Sequence, residues 1–290
     1  MVRTIQAKTI LSSVKDGADT WFGLRYNMNL YRGCQHGCIY CDSRSTCYQL
    51  GDLADIRMKD NALVLLEKEL KSKRKKGTIG FGSMNDPYMP VEKEKQLTRK
   101  ALRLVHKYRF PVHIITKSDL VLRDMDILKE ISSIYAAVSI TITTANDDLS
   151  KQIEPGAPLS SRRFDALKEL SKTGIYAGIT LMPVLPYITD DFKNLEALVI
   201  KAKENGARYI LAFMGMTIRE GQREYFYDQL DKRFPGLKNK YIQAYGNNYH
   251  CDVPEAVNLW HKFELLCQSV SIPLQMEFYK PMENKQLTLF

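Results

Sequence analysis

Segments that read alternately as strand and helix, often joined at a glycine, run from about residue 25 to residue 213. That rhythm constrains the fold of this chain more than any other feature. Residues 25–31 alternate Tyr26, Met28 and Leu30 against Asn27, Asn29 and Tyr31, the period of two expected of a strand. Residues 61–76 place Leu63, Leu66 and Leu70 on one helical face and stop at Gly77. Residues 78–81 read as a short strand, 92–107 as a helix, 111–116 as a β-branched strand, and 125–132 as a helix capped by Asp124. A strand over 135–143, a helix over 161–171 capped by Ser160, and a strand over 176–182 continue the pattern. A helix over 191–205 ended by Gly206 and a strand over 208–213 complete it. Helices that stop at glycine and re-enter as apolar strands are βα units, so the sheet is expected to be mostly parallel. Six strands are too few for a closed eight-stranded barrel, and an open or partial barrel is expected instead. Its functional groups then belong at the C-terminal ends of the strands. Beyond Phe213 the pattern turns helical and aromatic over 220–230, 238–245 and 254–268.

The chain has 290 residues, enough for one large domain or two modest ones, and 44% of them are hydrophobic, which argues against disorder. No apolar run approaches the roughly 20 residues that span a bilayer, and Met1 to Gln6 carry no signal-peptide core. The expected location is therefore the cytoplasm, with no membrane partner. Lysine and arginine exceed aspartate and glutamate by 42 to 33, a net +9 that suggests an anionic partner.

Six cysteines are too sparse for a disulfide scaffold, and they are unevenly spread. Cys34, Cys38, Cys41 and Cys47 lie close together, whereas Cys251 and Cys267 are distant and read as packing residues. The run Arg32-Gly33-Cys34-Gln35-His36-Gly37-Cys38-Ile39-Tyr40-Cys41 has a C-x3-C-x2-C spacing in the loop after the first strand, where the fold places an active site. Gly33 and Gly37 allow the tight turns that bring three thiolates together. Three thiolates suit a [4Fe–4S] cluster with one iron open to another ligand. A structural zinc ion wants four ligands, for which His36 and Cys47 are candidates. Cys47 otherwise reads as a buried inert thiol.

Cys34, Cys38 and Cys41, with Tyr40 before the third cysteine, resemble the cluster motif of the radical S-adenosylmethionine superfamily. Further stretches resemble its spore photoproduct lyase-like, or DNA repair photolyase-like, branch: Gly82-Ser83-Met84-Asn85-Asp86-Pro87-Tyr88, Thr116-Lys117-Ser118, Val138-Ser139-Ile140 and Glu154-Pro155-Gly156-Ala157-Pro158. The resemblance implies a partial (βα)6 barrel of the TIM type with a C-terminal helical extension. It implies a [4Fe–4S] cluster on Cys34, Cys38 and Cys41 whose open iron binds S-adenosylmethionine, and an electron donor such as flavodoxin or ferredoxin. Reductive cleavage then yields a 5′-deoxyadenosyl radical. By the same resemblance Ser83, Asn85 and Asp86 hold the cofactor's amino group, Lys117 pairs with its carboxylate, Ser139 hydrogen-bonds it, and Tyr40 lies against the adenine. Read from the residues alone, Lys117 and Ser139 are polar groups at strand ends. Two positions depart from the lyase pattern. The hydrogen-donating cysteine expected after the second strand is absent from Gly82-Ser83-Met84-Asn85, and Asp42 stands where a radical-relay tyrosine is expected. The resemblance therefore implies radical generation rather than the lyase reaction itself.

The chain ends Gln286-Leu287-Thr288-Leu289-Phe290, which resembles the short peptide by which DNA polymerases and repair proteins dock on the sliding clamp. The alternative is a terminus that folds back and buries Phe290. Lys71, Lys73, Arg74, Lys75 and Lys76 crowd one helix end, where solvation and the helix dipole account for them. Arg219, Arg223, Tyr225, Phe226, Tyr227, Arg233, Lys238, Lys240, Tyr241, Tyr245 and Tyr249 interleave cations with rings, suited either to an exposed base or to a core. The expected organisation is an N-terminal extension over 1–24, the barrel over 25–215, the helical extension over 216–280 and the tail over 281–290. The expected activity is a radical enzyme acting on a nucleobase in DNA. The alternatives are RNA, peptide or small-molecule substrates, or a non-catalytic metal-bearing adaptor riding the clamp.

Overall fold

The computed structural model describes residues 2–15 and 19–281. β1 (Arg3–Ile5), β2 (Leu11–Ser13), β3 (Leu24–Met28), β4 (Tyr31–Arg32) and β5 (Arg57–Lys59) lead into α1 (Ala62–Ser72). There follow β6 (Thr78–Phe81), α2 (Glu92–Lys95), α3 (Leu97–Lys107), β7 (Val112–Thr116), α4 (Met125–Ile131) and β8 (Ala136–Thr141). Next come α5 (Asp147–Ile153), α6 (Ser160–Lys172), β9 (Tyr176–Leu181), α7 (Phe192–Glu204) and β10 (Ile210–Ala212). β11 (Gly215–Thr217) pairs with β12 (His250–Asp252) across α8 (Gln222–Arg233) and α9 (Leu237–Tyr245), and α10 (Ala256–Ser269) is last.

The six strands read from the sequence form one sheet in the order β10-β9-β8-β7-β6-β3, every pair parallel. This is the partial barrel that the strand count requires. β2 adds an antiparallel edge to β3; with three residues and two exposed serines it carries no readable period. β6 and β8 are buried along their whole length, as befits parallel strands covered on both faces. Leu66 and Leu70 of α1, Leu102 and Val105 of α3, Leu167 and Leu170 of α6, and Leu198 and Val199 of α7 join the main core against them.

The helix expected over 92–107 is broken at Gln96, whose φ is +51°. Buried Glu92 causes the break: its carboxylate accepts the Leu97 and Thr98 amides at 2.8 and 3.0 Å and the Tyr31 hydroxyl, so it caps α3 from within α2. Asp124 does not cap α4 with its side chain. It is fully buried and pairs with Arg99 at 2.9 Å and Arg123 at 2.8 Å.

The region after residue 216 is not one extension. Leu259, Phe263 and Cys267 of α10 belong to the main core, and the Ile210 amide donates to Pro273 O at 2.9 Å. Phe226, Leu230 and Tyr241 of α8 and α9 instead pack with Cys38, Ile39 and Tyr40. Among the described residues no helix is long and apolar enough to cross a membrane.

Candidate active site

β4 hands the chain to the cysteine loop, which depends on glycine at close quarters. Gly33 has φ +85°, and a Cβ there would stand 2.7 Å from Leu53 O. Cys34 N–H donates to that same carbonyl at 2.8 Å. The loop is backed from behind by residues 153–156. Ile39 N–H donates to Ile153 O at 2.9 Å, and Gly156 N–H to His36 O at 2.8 Å. A Cβ at Gly156 would lie 2.2 Å from Gln35 O, so only glycine permits the contact.

Cys34, Cys38 and Cys41 all line one cavity of ≈ 510 Å³, at the rim where the parallel strands end. Its two sides differ. The cysteines, Ser83, Asn85, Asp86 and Lys117 come from the β3, β6 and β7 end of the sheet; Met182, Pro183, Phe213 and Met216 come from the β9 and β10 end. Burial pushes the Cys34 thiol up to about 11, and the charges of Asp86 and Cys41 add to the rise. Burial raises Cys38 further, against the pull of the Lys117 ammonium. These thiols stay protonated until a metal displaces the proton. Among the described residues no three His, Cys, Asp or Glu side chains converge on a position for a single ion. A cluster asks for a different arrangement, one thiolate for each of three irons, and a cavity wall carrying three cysteines offers that donor set. Of the other zinc candidates, His36 turns Nδ1 to Asp86 at 3.3 Å, and Cys47 does not line the cavity.

Asp86 is a strut. Its carboxylate accepts from Thr116 Oγ1 and the Lys117 amide at 2.7 Å each, from the Tyr88 amide at 2.8 Å, and faces His36. Burial pushes its pKa up, but His36 and these hydrogen bonds prevail and hold it at about 2. The carboxylate thus ties the cysteine loop to the ends of β6 and β7. Asn85 donates to Tyr31 O at 2.8 Å, and exposed Ser83 exchanges a hydrogen bond with Asn29. Lys117 reaches the cavity with its ammonium 5.7 Å from the centre of the Tyr40 ring. Among the described residues that ammonium has no hydrogen-bond or ion-pair partner. Burial disfavours its charge, yet Cys38 and Glu154 outweigh burial and raise its pKa.

Tyr40 also lines the cavity, and its hydroxyl donates to Glu154. Glu154 pairs at 2.5 Å with Arg163, which donates in addition to Pro158 O at 2.7 Å and Thr141 O at 3.1 Å. Glu154 and Arg163 are wholly buried, a charged pair directly behind the cysteine loop. Glu154 lies in the 154–158 stretch that resembles the lyase-like branch, without a role implied there, and no local pattern marks Arg163.

Ser139 does not reach the cavity. It is fully buried and bonded at 2.7 Å to both His113 Nε2 and Tyr209 OH. Side chains on a strand repeat their facing every second residue, so Thr141, two residues on, is the β8 side chain that lines the cavity. The ring-and-cation stretch is divided: Phe226 and Tyr241 are buried, Tyr225 carries the Arg44 guanidinium at 3.6 Å, and Lys240 and Tyr249 are exposed. Cys47 is exposed rather than buried, accepting from Ser45 Oγ at 3.2 Å and Arg219 Nη1 at 3.4 Å. The lysine-rich end of α1 precedes β6 and so lies at the opposite rim from the cavity. Cys251 and Cys267 are buried, as expected of packing residues. Gln286, Leu287, Thr288, Leu289 and Phe290 lie outside the described residues.

The model of the Radical SAM superfamily matches residues 28–199. An uncharacterized protein of Methanocaldococcus jannaschii is 35% identical over 221 residues, covering 75% of this chain and 81% of its own. A radical SAM Nalpha-GlyT isomerase of Pseudomonas phage M6 is 27% identical over 167 residues, covering 56% of this chain and 34% of its own. A spore photoproduct lyase variant with bound AdoMet and dinucleoside spore photoproduct shares the fold, with TM-score 0.65 and 14% identity over 92% of this chain and 78% of its own. The chain belongs to the radical SAM superfamily, whose members work with a [4Fe–4S] cluster and S-adenosylmethionine.

Proposed function

We propose that this chain is a radical enzyme that acts on a nucleobase of DNA, in repair or in modification. One observation carries the reading: three cysteines of a single loop share a cavity with an ammonium that, among the described residues, has no hydrogen-bond or ion-pair partner. In this reading Cys34, Cys38 and Cys41 hold the cluster, and Lys117 meets the carboxylate of S-adenosylmethionine. Ser83 and Asn85 receive the cofactor's amino group while Asp86 braces them from behind, and Tyr40 borders the adenine. Thr141 takes the place expected of Ser139. When bound, the cluster and cofactor supply an electron and the 5′-deoxyadenosyl radical it releases, with flavodoxin or ferredoxin as the source of the electron.

The net charge of +9 and the fold shared with an enzyme solved with a dinucleoside photoproduct support DNA as the substrate class. The lyase reaction itself is not the reading favoured. Gly82 to Asn85 hold no cysteine, and Asp42 is engaged by Tyr48 OH at 2.7 Å and Thr217 Oγ1 at 3.1 Å. The test is anaerobic reconstitution with iron and sulfide, reduction, and assay for 5′-deoxyadenosine. Wild type should form it and Cys34→Ala should not; equal yields from both would overturn the reading. Deuterium passing from a methyl-labelled thymine oligonucleotide into 5′-deoxyadenosine would identify the substrate class. Docking on the sliding clamp is a separate part of the proposal, tested by a pull-down with and without residues 286–290.

A further inference from the structure

We infer that the apolar side of the cavity seats an unpaired nucleobase, with the Trp21 ring as its stacking surface; this rests on the reading that the substrate is DNA. Trp21 lines the cavity and yet is 43% exposed. A large ring open to water beside a cavity offers a face on which a flat partner can stack. Its placement is fixed. The Asp19 carboxylate accepts the amides of Trp21, Phe22 and Leu24 at 3.0, 2.9 and 3.1 Å, and the Phe22 ring packs 5.0 Å from His113. Trp21 is thus held outward by a turn wound on one carboxylate.

The other apolar lining, from the β9 and β10 end, is Met182, Pro183, Phe213 and Met216, and Phe22, beside Trp21, packs against the same small core as Met182. Rings and thioethers favour a flat, uncharged partner. The two hydroxyls nearby are already bonded, Thr141 Oγ1 to Thr180 Oγ1 at 2.8 Å and Thr217 Oγ1 to Asp42 at 3.1 Å. The carboxylate nearby, Asp42, is already engaged by Thr217, Tyr48 and Arg219, whereas the cofactor's charged groups have their partners on the opposite side. A nucleobase presents two apolar faces and no net charge, which matches this lining. A base paired within a duplex has both faces covered by its neighbours, so the base must arrive unpaired or be extruded.

The chain has two tryptophans, Trp21 and Trp260, so Trp260→Phe leaves Trp21 as the sole reporter. The cluster-loaded protein with S-adenosylmethionine is titrated with a 5′-labelled oligothymidine, single-stranded or annealed to its complement. Anisotropy reads binding and tryptophan emission reads stacking. The single strand should quench Trp21 strongly and the duplex weakly. Trp21→Ala should weaken single-strand binding by roughly tenfold, the range of one lost base–aromatic stack, and Trp21→Phe should recover most of it. Three outcomes overturn the inference while leaving DNA binding intact: binding with unchanged Trp21 emission, Trp21→Phe as weak as Trp21→Ala, or full quenching by S-adenosylmethionine alone. Failure of both oligonucleotides to bind overturns the DNA reading as well.

Discussion

On the β3–β6–β7 side of the cavity the carboxylates are bound by several partners each, while on the β9–β10 side the exposed lining is rings, thioethers and a proline. The first side holds its shape through Asp86 and Glu154, two buried acids that bridge segments far apart in sequence. The second is held by packing and by backbone hydrogen bonds, among them Val184 N–H to Phe213 O at 2.9 Å, with no buried charge in it among the described residues. A charged network is specific but brittle, because losing one member strands the others without water. An apolar wall tolerates substitution of similar volume. The cavity therefore joins a rigid half suited to a fixed cofactor and a permissive half suited to a substrate.

The largest effect that tests this contrast is on Glu154. Glu154→Ala leaves buried Arg163 unpaired and the Tyr40 hydroxyl without its acceptor, and should cost about 3–5 kcal/mol in urea unfolding. Glu154→Gln combined with Arg163→Met removes both charges and should recover most of that loss. If the single variant is as stable as wild type, the rigid side does not depend on this pair.

Asp86→Ala comes next. It strips an acceptor from Thr116, from the Lys117 and Tyr88 amides and from His36, and about 2–3 kcal/mol is the expected loss. Iron content per chain should fall with it, because His36 sits within the cysteine loop. By contrast, Met182→Leu on the apolar side should cost less than about 1.5 kcal/mol and leave iron content unchanged.

Lys117→Met should leave the fold intact, since among the described residues the ammonium makes no hydrogen bond or ion pair whose loss would strand a partner. Affinity for S-adenosylmethionine should drop about tenfold to a hundredfold, as expected for a lost charge-assisted bond. Equilibrium dialysis on the cluster-loaded protein measures it; unchanged affinity would place the cofactor carboxylate elsewhere.

How far the sequence anticipates this molecule depends on how local each cause is. The six parallel strands are legible because runs such as residues 136–141 are buried on both faces and flanked by helix stops. The cysteine loop is legible from spacing. β2 and β4 are not, because two or three residues carry no period and their pairing is set by distant strands. The break at Gln96 comes from a carboxylate that Tyr31 helps hold, a contact across 61 residues. Tyr40 and Glu154 meet across 114 residues, so the pair behind the cysteines is invisible to any local pattern. The offset between Ser139 and Thr141 is a matter of where β8 ends in the rim. A motif locates the strand without fixing which residue reaches the cavity.

The smallest predicted effect concerns the rim beyond the polar side. Cys47 is exposed, and hydrogen bonds from Ser45 and then Arg219 lower its thiol pKa, whereas burial pushes Cys251 and Cys267 up to about 12. A lowered pKa means more thiolate near neutral pH, and the thiolate is the species that alkylates. Cys47 should therefore be the first cysteine of the cluster-loaded protein to react with iodoacetamide, as read by peptide mapping. Ser45→Ala and Arg219→Gln should each move the onset of reaction to higher pH. The rate near neutrality then falls by a few-fold, while rates at about pH 10, where ordinary thiols are already ionised, converge on wild type. A rate reduced equally at all pH values would show that these two side chains govern access to Cys47 rather than its charge.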